Sequence, residues 1–76
     1  MKFEDKNGLI LQDGDVFDIH QTVNGRSLFY VDSIEPLDIR YEYDRKRKYE
    51  YNEQQLLAPC IFTGESQFTI VSRDQK

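Results

Sequence analysis

The sequence predicts an all-β fold: a small barrel of five or six short antiparallel strands, with one 3₁₀ or helical turn before the last strands. Apolar and polar residues alternate with a period of two along most of the chain, as they do in strands with one buried face. Asn-Gly, Gly-Asp and Glu-Pro dipeptides, which are typical of turns, separate the alternating runs. Closure into a barrel would remove the exposed edges of so small a sheet.

Composition favours one folded domain and narrows the possible functions. Five Phe and five Tyr supply large core side chains, although hydrophobic residues make up only 38% of the 76. The single cysteine, Cys60, excludes an intramolecular disulfide and favours a reducing, cytoplasmic setting. A net charge of −4 opposes binding to nucleic acid or anionic membranes, and no apolar run is long enough for a membrane span. We expect residues 1–76 to form a single domain with flexible ends at 1–7 and 73–76.

The first hairpin is predicted around Asn24-Gly25, the strongest short hairpin signal in the chain. A two-residue loop there would set Phe17 opposite Asp32. A three-residue loop that also includes Val23 would set Phe17 opposite Val31. We expect the three-residue loop, because it joins apolar partners on one face of the sheet.

A second hairpin is predicted in residues 41–51, "YEYDRKRKYEY", which read almost the same in both directions. Folding this segment about Lys46 would set Tyr43 opposite Tyr49 on the face that alternation directs toward the core. The four basic residues 45–48 would then occupy the hairpin tip.

Late in the chain, "NEQQLLAP" (52–59) predicts a single helical or 3₁₀ turn, because it starts with an N-cap residue and ends at a proline. Further strands are expected near Leu9, in "CIFT" (60–63) and in "QFTIV" (67–71), the last with Phe68 and Ile70 facing inward.

Two segments resemble parts of the small SH3-like barrels. "QDGDVFDI" (12–19) resembles the Gly-Asp turn and strand that open those barrels, and "NEQQLLAP" resembles the 3₁₀ turn before their last strand. The resemblance spans residues 9–71 and implies the same barrel fold. SH3 domains that bind proline-rich peptides carry paired tryptophan in their groove, and this chain has no Trp. The resemblance therefore implies no binding of proline-rich peptides.

The function that we expect is non-catalytic binding of another protein through an exposed aromatic and charged sheet surface. Tyrosine suits such a surface, because it combines apolar area with a polar tip. Whether Tyr43 and Tyr49 lie there or complete the core is left open by the pattern. The candidate binding residues are Tyr30, Tyr43, Tyr49, Arg45 and Arg47.

Two other functions are alternatives. The basic run 45–48 beside tyrosines fits single-stranded nucleic-acid binding. However, residues 38–53 hold five basic and five acidic side chains, so the segment as a whole is neutral. The first 38 residues carry eight acidic against three basic side chains, which would fit a small acidic inhibitor that blocks a basic groove. We expect a monomer or a weak homodimer.

We expect no enzymatic activity, cofactor or metal. His20, the only histidine, has no evident catalytic partner, and Cys60 lies in an apolar stretch that favours a buried side chain. Asp13, Asp15 and Asp18 lack the spacing and terminal glutamate of an EF-hand calcium loop, and "QDGD" is better interpreted as a turn.

Overall fold

The structure, a computed structural model, describes residues 3–49, 57 and 68–73. Within these residues it contains one antiparallel sheet with the strand order β4-β3-β2-β1-β5. The first four strands form a meander, and the fifth returns to pair with the first. This arrangement confirms the all-β class. The strands are β1 (Asp15–Val23), β2 (Arg26–Ser33), β3 (Asp38–Tyr41), β4 (Asp44–Lys48) and β5 (Thr69–Arg73).

Some predicted elements lie outside the described residues. These are the strand at 60–63 and, except for Leu57, the turn at 52–59. Leu57 is helical and buried in the core. Near Leu9 the structure has only a single bridge between Glu4 and Ile10 rather than a full strand. No helix of the described segments is long and apolar enough to cross a membrane.

The β1–β2 turn has a two-residue loop, so the expected three-residue loop is wrong. Val23 pairs with Arg26 across Asn24 and Gly25, whose φ angles are 54° and 74°. Two consecutive positive φ angles are the signature of a type I′ turn, whose twist matches that of the flanking strands.

Farther from the turn, Phe17 pairs with Phe29, a register that neither loop length predicts. The register shifts between Asp18 and Val23, so that β1 holds more residues than β2 opposite it. His20 has a φ of 59° within this irregular stretch. Its backbone N–H donates to the Asp18 carboxylate over 2.8 Å, which stabilises the bulge.

The β3–β4 turn lies at Glu42 and Tyr43, so the predicted tip at residues 45–48 is also wrong. Tyr41 pairs with Asp44, and the register then shifts so that Arg40 pairs with Lys48. The basic run belongs to β4, which lies at a sheet edge with all five residues exposed. The hairpin departs from the expected shape because β4 holds three more residues than β3 at this register shift. Tyr43 therefore lies in the turn, whereas Tyr49 packs in the core.

The core lies on one face of the sheet and is rich in aromatic rings. The Phe17 ring centre lies 5.9 Å from that of Phe29 and 5.4 Å from that of Phe68. Both distances are within the range in which aromatic pairs stabilise a core. The inward position predicted for Phe68 is confirmed. The buried cluster consists of Leu11, Phe17, Ile19, Phe29, Val31, Ile39, Tyr41, Tyr49, Leu57 and Phe68.

Residues 3–11 pack against the start of β5. Asp5, expected in a flexible end, is only 3% exposed, and its carboxylate accepts hydrogen bonds from the backbone N–H groups of Asn7, Leu9 and Ile70. The backbone N–H of Lys6 also donates to the carbonyl of Phe68. These bonds fix the early segment to the last strand of the sheet.

Candidate functional site

The structure separates the five candidate binding residues. Tyr43 is 47% exposed, and the neighbouring Arg45 and Arg47 are exposed as well. Tyr49 is only 7% exposed, and its ring contacts Phe29 and Tyr41 in the core. Tyr49 therefore belongs to the core and not to an exposed surface.

Tyr30 lies on the sheet face opposite the core, where it pairs with Val16 and Arg40 on the neighbouring strands. The guanidinium carbon of Arg45 lies 4.1 Å from the centre of the Tyr30 ring, a cation–π distance. Arg45 also donates two hydrogen bonds to the Glu42 carboxylate, over 3.1 and 2.9 Å. Arg45 thus covers Tyr30, which is itself buried.

Tyr43 contacts two other arginines. The guanidinium carbon of Arg26 lies 3.9 Å from the centre of the Tyr43 ring. Arg47 Nη1 donates to Tyr43 Oη over 2.6 Å. We call Arg26, Tyr43 and Arg47 the Tyr43 cluster. The cluster continues toward the core through Tyr41, whose ring centre lies 5.5 Å from that of Tyr43.

Two turns that are distant in sequence form the Tyr43 cluster. Arg26 follows the β1–β2 turn, and Tyr43 lies in the β3–β4 turn at the same end of the sheet. Asn24 Nδ2 donates to Tyr41 Oη over 3.0 Å, and the backbone N–H of Glu42 donates to the Leu28 carbonyl over 3.3 Å. These two hydrogen bonds fix the turns side by side.

An open cleft lies between the two turns. Its volume is about 320 Å³, and its wall includes both charged and apolar side chains. Leu28 contributes apolar surface and is itself exposed. The cleft is lined by Gly25, Arg26, Ser27, Leu28, Glu42 and Tyr43.

Arg40 on β3 is engaged within the protein. Its Nε and Nη2 donate to the two carboxylate oxygens of Asp38 over 2.8 and 2.9 Å. This hydrogen bonding lowers the pKa of Asp38 below its usual value and raises the pKa of Arg40. A bidentate pair of this kind orients both side chains, so the Arg40 side chain is held in place on β3, beside the basic strand β4.

The residues that the sequence raised as possible catalytic or metal-binding groups have other contacts. His20 Nε2 forms a 2.7 Å hydrogen bond with Thr69 Oγ1. Asp13 accepts from the Ile34 backbone N–H, and Asp15 binds Arg73. Within the ranges that the structure describes, no three His, Cys, Asp or Glu side chains group as metal ligands. Cys60 lies outside those ranges.

Arg26 is the site residue that sequence reasoning missed. It comes from a strand end that is 17 positions away from Tyr43 in the chain. The one feature of the sequence that could have indicated Arg26 is its position directly after the Asn24-Gly25 turn. Residues beside a turn lie at an end of the sheet, where they can contact residues of other turns. Only the β3–β4 turn position shows that Tyr43 is its neighbour.

Comparison with known proteins gives no match: no protein-family model, no curated protein and no solved structure is significantly similar to this chain.

Proposed function

We propose that the protein is a non-catalytic, cytoplasmic protein-binding module that contacts its partner through the edge strand β4 and the Tyr43 cluster. One observation carries this proposal: β4 is an edge strand with every residue exposed, and it lies beside the exposed ring of Tyr43. The exposed side chains of β4, and not its backbone groups, form the proposed contact surface, so the surface would remain available in a closed sheet. Tyrosine and arginine are among the residues enriched at the positions that dominate the binding energy of an interface.

The charge distribution supports an acidic partner surface. Although the chain has a net charge of −4 and residues 38–53 are neutral as a whole, residues 38–48 together with Arg26 carry six basic and three acidic side chains. Such a local excess orients an approaching acidic surface and speeds its association. These six residues are Arg26, Arg40, Arg45, Lys46, Arg47 and Lys48.

Single-stranded nucleic-acid binding by β4 is less well supported. That function depends on aromatic faces on which bases can stack. Arg45 lies over the ring of Tyr30, and Arg26 lies over the ring of Tyr43. Tyr41 and Tyr49 are buried. A basic strand with only one exposed tyrosine ring beside it among the described residues, and with an arginine over one face of that ring, suits a protein partner better.

The acidic-inhibitor alternative is also less well supported. Asp5 and Asp15, two of the eight acidic residues in the first 38, are buried and accept hydrogen bonds within the protein. Asp38 forms an ion pair with Arg40. These carboxylates stabilise the fold, and fewer remain to imitate an acidic ligand.

We further propose that the sheet closes into a small SH3-like barrel. The strand order supports this, because a meander whose fifth strand returns to the first needs only one further junction to close. That junction would join the β4 and β5 sides of the sheet. Amide–amide nuclear Overhauser effects that connect the two sides through residues 50–67 would support closure, and their absence would indicate an open sheet.

Site-specific photocrosslinking tests the binding proposal. A photoreactive phenylalanine analogue replaces Tyr43 in one variant and Val71 in a control variant. Val71 lies on the other edge strand, β5, and is similarly exposed at 53%. A partner that crosslinks at position 43 and not at position 71 is then purified, and its affinity for the full chain is measured by calorimetry.

We expect Tyr43→Ala to weaken binding of that purified partner by about tenfold or more, as loss of an interface anchor does. Val71→Ala should leave the affinity within about twofold. Equal crosslinking from both positions, or an unchanged affinity of Tyr43→Ala, would overturn the proposed function. A denaturation curve for each variant establishes that it is folded under the conditions of the binding measurement.

A further inference from the structure

The five arginines of the chain fall into two groups. Three of them bind a carboxylate at 2.9 Å or less: Arg40 binds Asp38, Arg45 binds Glu42 and Arg73 binds Asp15. Arg26 and Arg47 form no ion pair with any carboxylate of the described residues. Both contact tyrosine instead, and both contact the same one, Tyr43.

The contacts of Arg26 and Arg47 leave hydrogen-bond donors available. A guanidinium that lies over an aromatic ring uses its flat face, while its N–H donors point outward in the plane of the group. Arg47 gives one N–H to Tyr43 Oη and has further donors on the same group. Arg26 is held against the Tyr43 ring, and Arg47 is held by the Tyr43 hydroxyl and by the Tyr41 ring, whose centre lies 5.2 Å from its guanidinium carbon. Both cations are therefore oriented in advance for an anionic acceptor, which lowers the entropy cost of binding.

We propose that the Tyr43 cluster is a carboxylate-binding site that takes an aspartate or glutamate side chain from an acidic segment of the partner protein. The proposal rests on the proposed function and names the chemistry that its surface recognises. Arg26 and Arg47 supply the charged hydrogen bonds, and Tyr43 holds both guanidinium groups in position. The adjacent cleft, with Leu28 in its wall, receives an apolar side chain next to the acidic one.

The charge of the whole chain favours a short acidic segment over a long polyanion. A nucleic acid that crossed this domain would meet a surface with an overall charge of −4. A short peptide can bind by contacting only the Tyr43 cluster and the basic residues beside it. Arg40, Arg45 and Arg73 already bind carboxylates within the protein. The carboxylates of the peptide would supply the corresponding partners for Arg26 and Arg47.

The test is a titration of the isotope-labelled full-length protein at low salt, followed by the nuclear magnetic resonance signals of the arginine Nε–Hε groups. The probe is a capped peptide in which glutamate alternates with leucine, and the control peptide has glutamine in place of each glutamate. A single-stranded oligonucleotide of matched charge is the third ligand. We expect the acidic peptide to shift the Arg26 and Arg47 signals more than those of Arg40 and Arg73.

Charge-matched variants complete the experiment. Arg26→Gln and Arg47→Gln should each weaken the acidic peptide by about fivefold or more, because each removes a charged hydrogen bond. Lys6→Gln removes the same charge at the other side of the sheet and should change the affinity by less than about twofold. An equal loss in all three variants, equal binding of the glutamine peptide, or tighter binding of the oligonucleotide would overturn the carboxylate site.

The two proposals can fail separately. If a partner captured at Tyr43 binds Arg26→Gln and Arg47→Gln as tightly as the wild type, the carboxylate site is wrong and the proposed function stands. If the acidic peptide binds at the two arginines but crosslinking at Tyr43 is no more selective than at Val71, the carboxylate site stands and the proposed function is wrong.

Discussion

Arg73 and Asp15, which are 58 residues apart in the chain, form a two-point contact: Arg73 Nε lies 2.7 Å from Asp15 Oδ1, and Nη2 lies 3.1 Å from Oδ2. The Asp15 side chain has 0% exposure, and it also accepts the backbone N–H of Gln12 over 2.9 Å. Arg73 Nη2 donates in addition to the carbonyl of Ile10. One carboxylate thus joins the start of β1, the segment that precedes it and the end of β5.

We expect Asp15→Ala to lower the free energy of unfolding by about 2–3 kcal/mol, because it leaves the Gln12 N–H and Arg73 without their acceptor. Urea denaturation followed by circular dichroism measures the change. Asp44→Ala, which removes an exposed carboxylate that accepts the backbone N–H of Lys46, is the control and should cost about 1 kcal/mol or less, because water can replace the lost acceptor. Equal costs for the two variants would contradict the role of Asp15.

A second buried carboxylate predicts a pH dependence of stability. Burial alone would raise the pKa of Asp5, but hydrogen bonds from the backbone N–H groups of Ile70, Leu9 and Asn7, with the charge of Arg73, outweigh it and lower the pKa. The ionised carboxylate therefore stabilises the folded state at any pH above the unfolded-state pKa of about 3.9. This stabilisation is lost as the pH falls through the lower, folded-state pKa.

Comparison of the wild type with Asp5→Asn checks this pH dependence. Between about pH 6 and pH 2, the free energy of unfolding should fall more steeply in the wild type than in the variant. Asp38, whose pKa Arg40 also lowers, contributes in the same direction, so the variant should retain part of the slope. Parallel curves for the two proteins would show that Asp5 does not titrate differently on unfolding.

The two tyrosines of the β3–β4 region should respond differently to truncation. Tyr49→Ala removes a ring that packs against Phe29 and Tyr41, and we expect it to cost about 3–4 kcal/mol, most of the stability of a domain of this size. Tyr43→Ala removes a half-exposed ring and should cost about 1 kcal/mol or less. Thermal denaturation measures the stability of both variants. A larger loss of stability in Tyr43→Ala than in Tyr49→Ala would contradict the placement of Tyr49 in the core.

The type I′ turn predicts a backbone effect at Gly25. A Cβ at this position would meet no atom within 4 Å, so any cost of Gly25→Ala comes from its φ of +74°. We expect that cost to be about 1 kcal/mol. Gly25→Asn should cost less, because asparagine tolerates the left-handed region better. Chemical denaturation of both variants measures the difference, and equal losses would indicate that the turn is not in this conformation.

The fold class could be predicted from the sequence, whereas the strand registers could not. The sequence placed Phe17 and Val31 on one apolar face of the sheet, where both are buried, and Asn24-Gly25 located the first turn. The registers depend on bulges in β1 and between β3 and β4. A bulge inserts residues without breaking the apolar pattern on either side, so the pattern does not encode it.

Only part of the candidate site could be predicted, because the site also depends on a strand register that the sequence pattern does not encode. Tyr43, Arg45 and Arg47 are exposed as the binding hypothesis requires, whereas Tyr49 is buried. The symmetry of residues 41–51 favoured a turn at the charges, but the turn lies at Glu42 and Tyr43, and a register shift follows it in β4. Arg26 reaches the cluster only through contacts between turns, which sequence spacing alone does not reveal.

The return of β5 to β1 has a consequence for synthesis of the chain. β1 is translated early, yet its second neighbour, residues 69–73, comes after more than half of the sequence. Until the ribosome has made that strand, the growing meander keeps one flank of β1 unpaired, and Asp15 lacks Arg73. The late pairing is non-local and slow to form, so nascent chains stalled before residue 69 should be the species that chaperones or proteases engage.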